Sequence, residues 1–478
     1  MVNVQLPLKS KIPIRFWIAC MVFLTTFTCY TTRVNLSVSI VSMTKGKTKG
    51  IPYCKLKEGT GNGGNESHEL PDYGTRYDWN ERIQGSLLGA YFYGYILTNL
   101  LAGLTAEYFG PLKVILLVHA VAAVMNTVSV FAAGWHWGVL FFCRLVLGMG
   151  GALVYPSLQI LIAFWAPPQE KGKFVSALMG NVLGTCVTWP VVGLVTTYLG
   201  WHWGFYVVSL VNVLFCIVFF LVVTDTPETH RWISPEEVAY IKESQQGTVV
   251  KKKVVAPYKD IFKNFPYWML MICHFGNEWG LYLQLTLIPK FISDVIGFDL
   301  SQAGGLSALP PLMRMTFGLV LGYIADELLR REIFSKRVVR KSYTVVSHVI
   351  PGILLLIISF IGCSWIPIII LLTLSLGFNG ACVQNTLINP QDLAPNFSGT
   401  IYAINSFFAG MTGFIVPTLN GEFTKNESGI TQWSYTFIIG GAVYCASGVI
   451  WIVFGSVEEQ AFNRKGQPTA TTTTENTT

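Results

Sequence analysis

IQGSLLGAYFYGYILTNLLAG, residues 83–103, carries no charged side chain and is long enough to cross a lipid bilayer as one helix. A hydrocarbon core about 30 Å thick takes about 20 apolar residues, each adding about 1.5 Å of helix. Stretches of the same kind recur at 16–41, 112–134, 137–164, 172–199, 203–223, 267–292, 302–325, 342–362, 365–388, 398–420 and 433–455. The pattern predicts an all-α membrane protein with twelve transmembrane helices. Composition agrees: of 478 residues 52% are hydrophobic and only 12% charged, with mean hydropathy +0.49, which excludes an ordinary soluble enzyme. The first run, 16–40, is too long for a signal-peptide core and contains Arg33, so it is read as the first helix.

The excess of 33 Lys and Arg over 26 Asp and Glu is unevenly placed. Basic residues crowd the segments that lie inside if both termini are cytosolic: Lys9, Lys11 and Arg15, the stretch 231–263, and the stretch 330–341. Two polar stretches interrupt the apolar pattern. The first, 44–80, carries the sequon Asn65-Glu66-Ser67 and reads as a glycosylated outer loop; a second sequon starts at Asn426. The other, 224–264, includes Lys251, Lys252 and Lys253 and reads as a cytosolic linker facing lipid headgroups. The expected organisation is a six-helix bundle over 1–223, the linker 224–264, a second six-helix bundle over 265–457 and a cytosolic tail 458–478. Most of the ten cysteines sit in apolar runs; Cys54 and Cys363 fall near expected outer loops, where a disulfide between them stays open. No Cys/His ligand spacing appears, so no metal or cofactor is expected beyond a co-transported ion.

The halves also echo each other. GLTAEYFGPLK, 103–113, and GYIADELLRR, 322–331, each set an acid four residues after a glycine and basic residues beyond. Gly103, Glu107, Gly322 and Asp326 are thus candidates for conformational gating, with close helix approach expected at the glycines. A six-helix repeat is how many secondary transporters are built.

An ionisable residue within a membrane helix is a functional candidate by default. By helix rise Arg33 and Arg144 sit about 10–14 Å below the outer surface, and Glu278 about 16 Å from the inner one. Guanidinium is permanently charged and offers planar paired donors to carboxylate or phosphate oxygens, so Arg33 and Arg144 are candidate anion ligands; snorkelling to the interface is the alternative for each. His274 and Glu278, four apart, share a helix face and are candidates for proton or cation coupling; the alternative is a structural pair, with Arg314 balancing Glu278. Asn277 and Tyr91 are candidate substrate contacts. Trp135, Trp137, Trp201 and Trp203 read as interfacial belts.

Six strings together resemble the anion:cation symporter family of the major facilitator superfamily, which includes sialin, vesicular glutamate transporters and sodium/phosphate cotransporters. They are RVNLSVSIVSM from Arg33, the stretch from Ile83, FWAPPQEKGK from Phe164, GWHWGFYVVS from Gly200, GYIADELLRR, and QDLAPNFSGT from Gln391. The resemblance runs from about Phe16 to Val457 and looks strongest to invertebrate inorganic phosphate cotransporters. It implies two six-helix bundles, alternating access and an anion site between bundles, with Arg33 and Arg144 on the positions of the family's anion-recognising arginines. The chain also departs from the family. Gly151 and Leu147 stand where members place helix-four acids, Leu88 where glutamate transporters have a histidine, and Asn277 where they have an arginine. Pro390 replaces the histidine of the family's NHxD string, leaving Asn389 and Asp392. These losses argue against glutamate transport and leave Glu278 as a replacement coupling acid.

The leading expectation is a sodium- or proton-coupled symporter of phosphate or a small organic anion. The alternatives are a proton-coupled exporter of acidic sugars or amino acids, or a transport-dead sensor. The helices carry no nucleophile/base pair, so an enzyme is not expected. The expected partners are a small anion and the lipid bilayer, with no nucleic acid. The chain is expected as a monomer, in the plasma membrane rather than a lysosomal or vesicular one.

Overall fold

The structure is a computed structural model that describes residues 12–45, 54, 74–167, 170, 174, 176–245 and 256–466. Asn65 and Lys251, Lys252 and Lys253 lie outside the described residues. Among the described residues the chain is helical, with one isolated bridge between Thr44 and Tyr77. Its internal contacts divide it into two compact units, 1–249 with 289–308, and 250–288 with 309–478.

The first unit contains α1 (Ile14–Met43), α2 (Glu81–Phe109), α3 (Pro111–Trp135), α4 (Trp137–Trp165), α5 (Gly180–Leu199) and α6 (Trp201–Val222). The starts of several are written locally. Asn80 caps α2 by accepting the amide of Ile83 at 2.9 Å, and His136 caps α4 by accepting that of Gly138 at 3.0 Å. Between α2 and α3, and again between α5 and α6, the chain reverses through a single residue with φ near +90°, Gly110 at 85° and Gly200 at 92°, a conformation that a side chain disfavours. α2 and α4 pack backbone to backbone: a Cβ at Gly94 would overlap the carbonyl of Leu145, and one at Gly148 that of Tyr91. By contrast a Cβ at Gly103 or Gly322 meets nothing within 4 Å. The close approach expected at the two repeated motifs therefore occurs two turns earlier on α2, where the facing helix offers glycine too.

α7 (Pro235–Gln245) is a short amphipathic helix of the linker. It packs Ile241 among Ile18, Trp165, Phe174 and Val223. Its Glu237 accepts the amides of Ile14 and Arg15, both at 3.1 Å, the placement that the positive end of α1 favours. Arg15 adds ion pairs to Glu170 at 2.9 Å and Glu237 at 3.3 Å.

Residues 289–308 join the first unit through specific contacts. Lys290 pairs with Glu81 at 2.6 Å, donates to Gln84 and lies 3.8 Å from Asp294. Lys290, near the end of the apolar stretch 267–292, is 2% exposed, because these partners replace its water. α9 (Leu300–Ser307) closes on α5, where Gly304 sits against the carbonyl of Trp189 and Gly193 against that of Leu300.

The second unit holds α8 (Phe265–Phe291) up to residue 288 and α10 (Leu309–Arg330). The spans α11 (Lys336–Ile361), α12 (Trp365–Leu393), α13 (Ser398–Phe423) and α14 (Ile430–Phe454) complete it. α12 is interrupted by a 3-10 turn at Gly380–Gln384. Near its end Arg340 is buried against Asp392 at 3.0 Å and Gln384 at 2.6 Å, and Lys336 adds a second bridge to Asp392 at 2.7 Å.

Among the described residues ten helices are long and apolar enough to cross a bilayer, eleven if Glu81–Asn99 and Ala102–Phe109, bent by 64°, count as one. α8 is as long but carries His274, Asn277, Glu278 and Gln284 along its length, which leaves it outside that set. Large apolar side chains such as Leu104, Phe131, Phe220 and Phe360 stand more than half exposed. Such a surface is stable in lipid and a liability in water. Of the four tryptophans expected in interfacial belts, Trp135 is 74% exposed, but Trp201 is fully buried, its indole donating to the carbonyl of Thr75 at 2.9 Å. Cys54 and Cys363 are each disulfide-bonded, and the other eight cysteines are free.

Candidate functional site

In the first unit the charged site is built from α1, α2 and α4. Arg144 is 2% exposed and donates to the main-chain carbonyls of Thr32 at 3.0 Å and Arg33 at 2.8 Å. Its buried Nε has no hydrogen-bond partner among the described residues. Arg33 is half-buried, donates to the hydroxyl of Tyr30 at 3.1 Å and lies over the rings of Tyr30, Tyr91 and Phe92 at 5.0, 5.5 and 4.8 Å. The guanidinium of Arg144 is 5.6 Å from that same Tyr91 ring. Two cations thus share one aromatic face-partner, each gaining roughly 1–2 kcal/mol where water is excluded. Of the four substrate-contact candidates Arg33, Arg144, Asn277 and Tyr91, three lie together here, while Asn277 lies in the second unit. The sequence reading did not foresee that Arg144 would spend two of its donors on helix-one carbonyls.

In the second unit Glu278 and Asn277 belong to a chain of polar side chains. Asn277 donates to Glu278 at 3.0 Å and accepts from Asn379 at 2.8 Å. Asn379 in turn accepts from Nε of Arg314 at 3.0 Å, and Arg314 reaches the Cys382 sulfur at 3.5 Å. Arg314 and Glu278 are therefore coupled through two amides. His274 is buried, its Nδ1 has no hydrogen-bond partner among the described residues, and its ring meets Tyr402 edge-on at 5.7 Å. Among the described residues it shares no hydrogen bond with Glu278. Beside this chain His348 bonds Ser347 at 2.7 Å and the Cys273 carbonyl at 3.1 Å, while Asn385 ties Cys273 to Thr344.

Of the gating candidates, Asp326 accepts from Gln384 at 3.3 Å and so joins the Arg340–Asp392 cluster, while Glu107 is exposed. Asn426 stands exposed in the turn between α13 and α14. Asn379 and Arg340 are the residues that the sequence reading missed. Asn379 had a signal, an amide inside an otherwise apolar helix, but nothing in the sequence names its two partners.

A family model described as Major Facilitator Superfamily matches residues 22–417. Sialin of Ovis aries is 31% identical, over 93% of this chain and 90% of its own length. A Drosophila melanogaster protein named "Putative inorganic phosphate cotransporter" is 30% identical, over 93% and 85%. Among solved structures, a D-xylose-proton symporter superimposes with TM-score 0.65 at 15% identity, covering 92% of this chain and 98% of its own, which supports the fold alone. The chain is a multi-pass membrane protein of the Major Facilitator Superfamily and belongs to its anion:cation symporter family.

Proposed function

We propose that the protein is a cation-coupled anion symporter working by alternating access, with Arg33 and Arg144 holding the anion and Glu278 carrying the coupling. The observation that supports it most is the convergence of two arginines on Tyr91, at 5.5 and 5.6 Å, inside an apolar helix bundle. Among the described residues the charged and titratable groups around Arg144 are Tyr91, Arg33 and Cys143, with no carboxylate. Positive charge kept in such a place without an acid favours entry of an anion. Arg144 takes its orientation from two main-chain carbonyls, so its remaining N–H groups are held ready rather than free to swing.

The substrate we favour is inorganic phosphate or a small organic anion, in keeping with the names of the relatives. Glu278 supplies a titratable, cation-binding group that helix four lacks, since residues 147 and 151 are Leu and Gly. Sialin's likeness favours a second reading, proton-coupled export of acidic sugars or amino acids. Reconstitution separates the two. With full-length protein in vesicles and labelled phosphate outside, an inward sodium or proton gradient, imposed singly, should drive accumulation above equilibrium. Accumulation of sialic acid but not phosphate would favour the second reading, and accumulation of neither would refute both.

A further inference from the structure

Gly151 lies two helical turns beyond Arg144 on α4, and the space above it is filled. A Cβ built there would collide with the Tyr91 hydroxyl and stand 2.8 Å from its Cζ. One turn earlier a Cβ at Gly148 would overlap the carbonyl of the same residue. α4 is thus carved to receive Tyr91: one glycine admits its backbone and the other its phenol. The ring is 2% exposed and is the one that both guanidiniums approach. A residue with a larger side chain at 151 is incompatible with a tyrosine at 91 in this position, so the two identities depend on each other.

Resting on the reading that Arg33 and Arg144 bind the anion, we propose that Tyr91 is a specificity-determining residue of that site. Its phenol, seated in the slot over Gly151 and hydrogen-bonded with the Cys29 thiol, exchanges that weak partner for the anion as a neutral third donor and keeps a side-chain carboxylate out. A carboxylate in that slot would repel an incoming anion until protonated, which would link anion affinity to pH. A phenol stays protonated throughout the physiological range, so anion binding at the arginines needs no accompanying proton. The groups that face Tyr91 are Cys29, Tyr30 and Arg33 from α1, Tyr95 on its own helix and Arg144 from α4. Among the described residues none of these groups is a carboxylate or a histidine, so they supply no acid to restore such a link. Any coupling proton or cation must then act elsewhere, which is the part given to Glu278.

The test is sulfate affinity, measured as protection of the purified full-length protein against heat unfolding at about pH 6 and about pH 8, where sulfate keeps one charge state. Tyr91→Phe keeps the ring between the arginines and removes the donor. It should weaken sulfate about tenfold, the size of one hydrogen bond to a charged group, with the ratio of the two constants as in the unaltered protein. Tyr91→Phe combined with Gly151→Glu puts a carboxylate into the vacated slot. It should raise that ratio about tenfold, with tighter binding at the lower pH. Because Gly151→Glu in a packed helix can prevent folding, Gly151→Ala serves as a second route. With Tyr91 present it should lower the yield of folded protein, and Tyr91→Phe should recover it in part.

Wild-type affinity in Tyr91→Phe, or an unchanged ratio in the folded double variant, would overturn the proposal. So would an equal yield of Gly151→Ala with either residue at 91. Arg33→Lys and Arg144→Lys are the reference. If they leave sulfate affinity unchanged, or if sulfate protects no form of the protein, the anion-site reading fails and this inference with it. If they weaken it while Tyr91→Phe does not, only the role of Tyr91 fails.

Discussion

In the first unit Arg144 fixes its guanidinium on main-chain carbonyls of Thr32 and Arg33. In the second, Arg314 gives its Nε to Asn379, whose partner Asn277 bonds Glu278. Both clusters put charge among apolar helices, but the means differ. A carbonyl of an intact helix neither titrates nor rotates, so the first cluster holds one geometry and one charge. A chain of amides ends on an acid that can lose or gain a charge, and each amide can turn end for end when it does. On the proposed function, recognition falls to the rigid cluster and response to the adaptable one.

The largest effect is expected from Arg144→Met, which retains bulk but removes both bonds to α1. The two α1 carbonyls then keep only their bonds within the helix, and each charge-assisted bond removed is worth about 1.5–3 kcal/mol. Anion uptake should fall at least about a hundredfold, with a lower Tm of the purified protein. Arg144→Lys, able to reach one carbonyl but lacking the planar fork, should fall between. Equal uptake by Lys and the native residue would end the distinction between a fixed fork and a simple charge.

Gly148→Ala comes next. The added methyl meets main chain, which cannot move aside as a side chain would, so α2 and α4 must part. A loss of about 1–3 kcal/mol is expected, read as reduced Tm and surface yield. Gly322→Ala, on the repeated motif in the second unit, meets nothing within 4 Å and should change Tm little. If the two substitutions prove equally harmful, close packing is not what separates these glycines.

A moderate effect is expected in the second unit from Asn379→Ala, which cuts the path from Arg314 to Glu278. Gradient-driven accumulation should drop about tenfold, while exchange of anion across an equilibrated membrane should fall less. The smallest effect belongs to Lys242, paired with Glu228 at 3.2 Å on the surface. The Glu228 carboxyl is held below its ordinary value first by its own main-chain amide and then by contacts to Lys242 and Thr226. A depressed carboxyl contributes stability above its unfolded pKa, lost as pH falls through the folded one. As the amide dominates and the pair is exposed, Lys242→Ala should cost under about 1 kcal/mol, with most of the acid-side dependence intact.

The helices and the arginine positions were legible because bilayer thickness imposes one apolar run per crossing, and because a charge inside such a run stands out. Legibility stopped where meaning depends on a partner far along the chain. Arg144 reads as a free anion ligand until helix packing brings the carbonyls of Thr32 and Arg33 to it. Asn379 reads as a lone amide until it is found between Arg314 and Asn277. Gly103 and Gly322 were conspicuous by repetition, yet the glycines that let α2 and α4 touch are Gly94 and Gly148, whose importance lies in the facing backbone. Nothing near Lys290 in the sequence names its partners, Glu81 and Gln84, which lie in another helix.

The division between recognition and response is tested most directly by Glu278→Gln in vesicles of full-length protein, with labelled phosphate followed in two modes. Accumulation driven by an ion gradient should be lost while phosphate-for-phosphate exchange persists, since exchange needs the carrier to reorient loaded but never empty. Arg33→Lys should lose both modes together. A Glu278→Gln protein that still accumulates phosphate with unaltered ion dependence would contradict the account, leaving Glu278 as a structural end-point of the Asn277–Asn379–Arg314 chain.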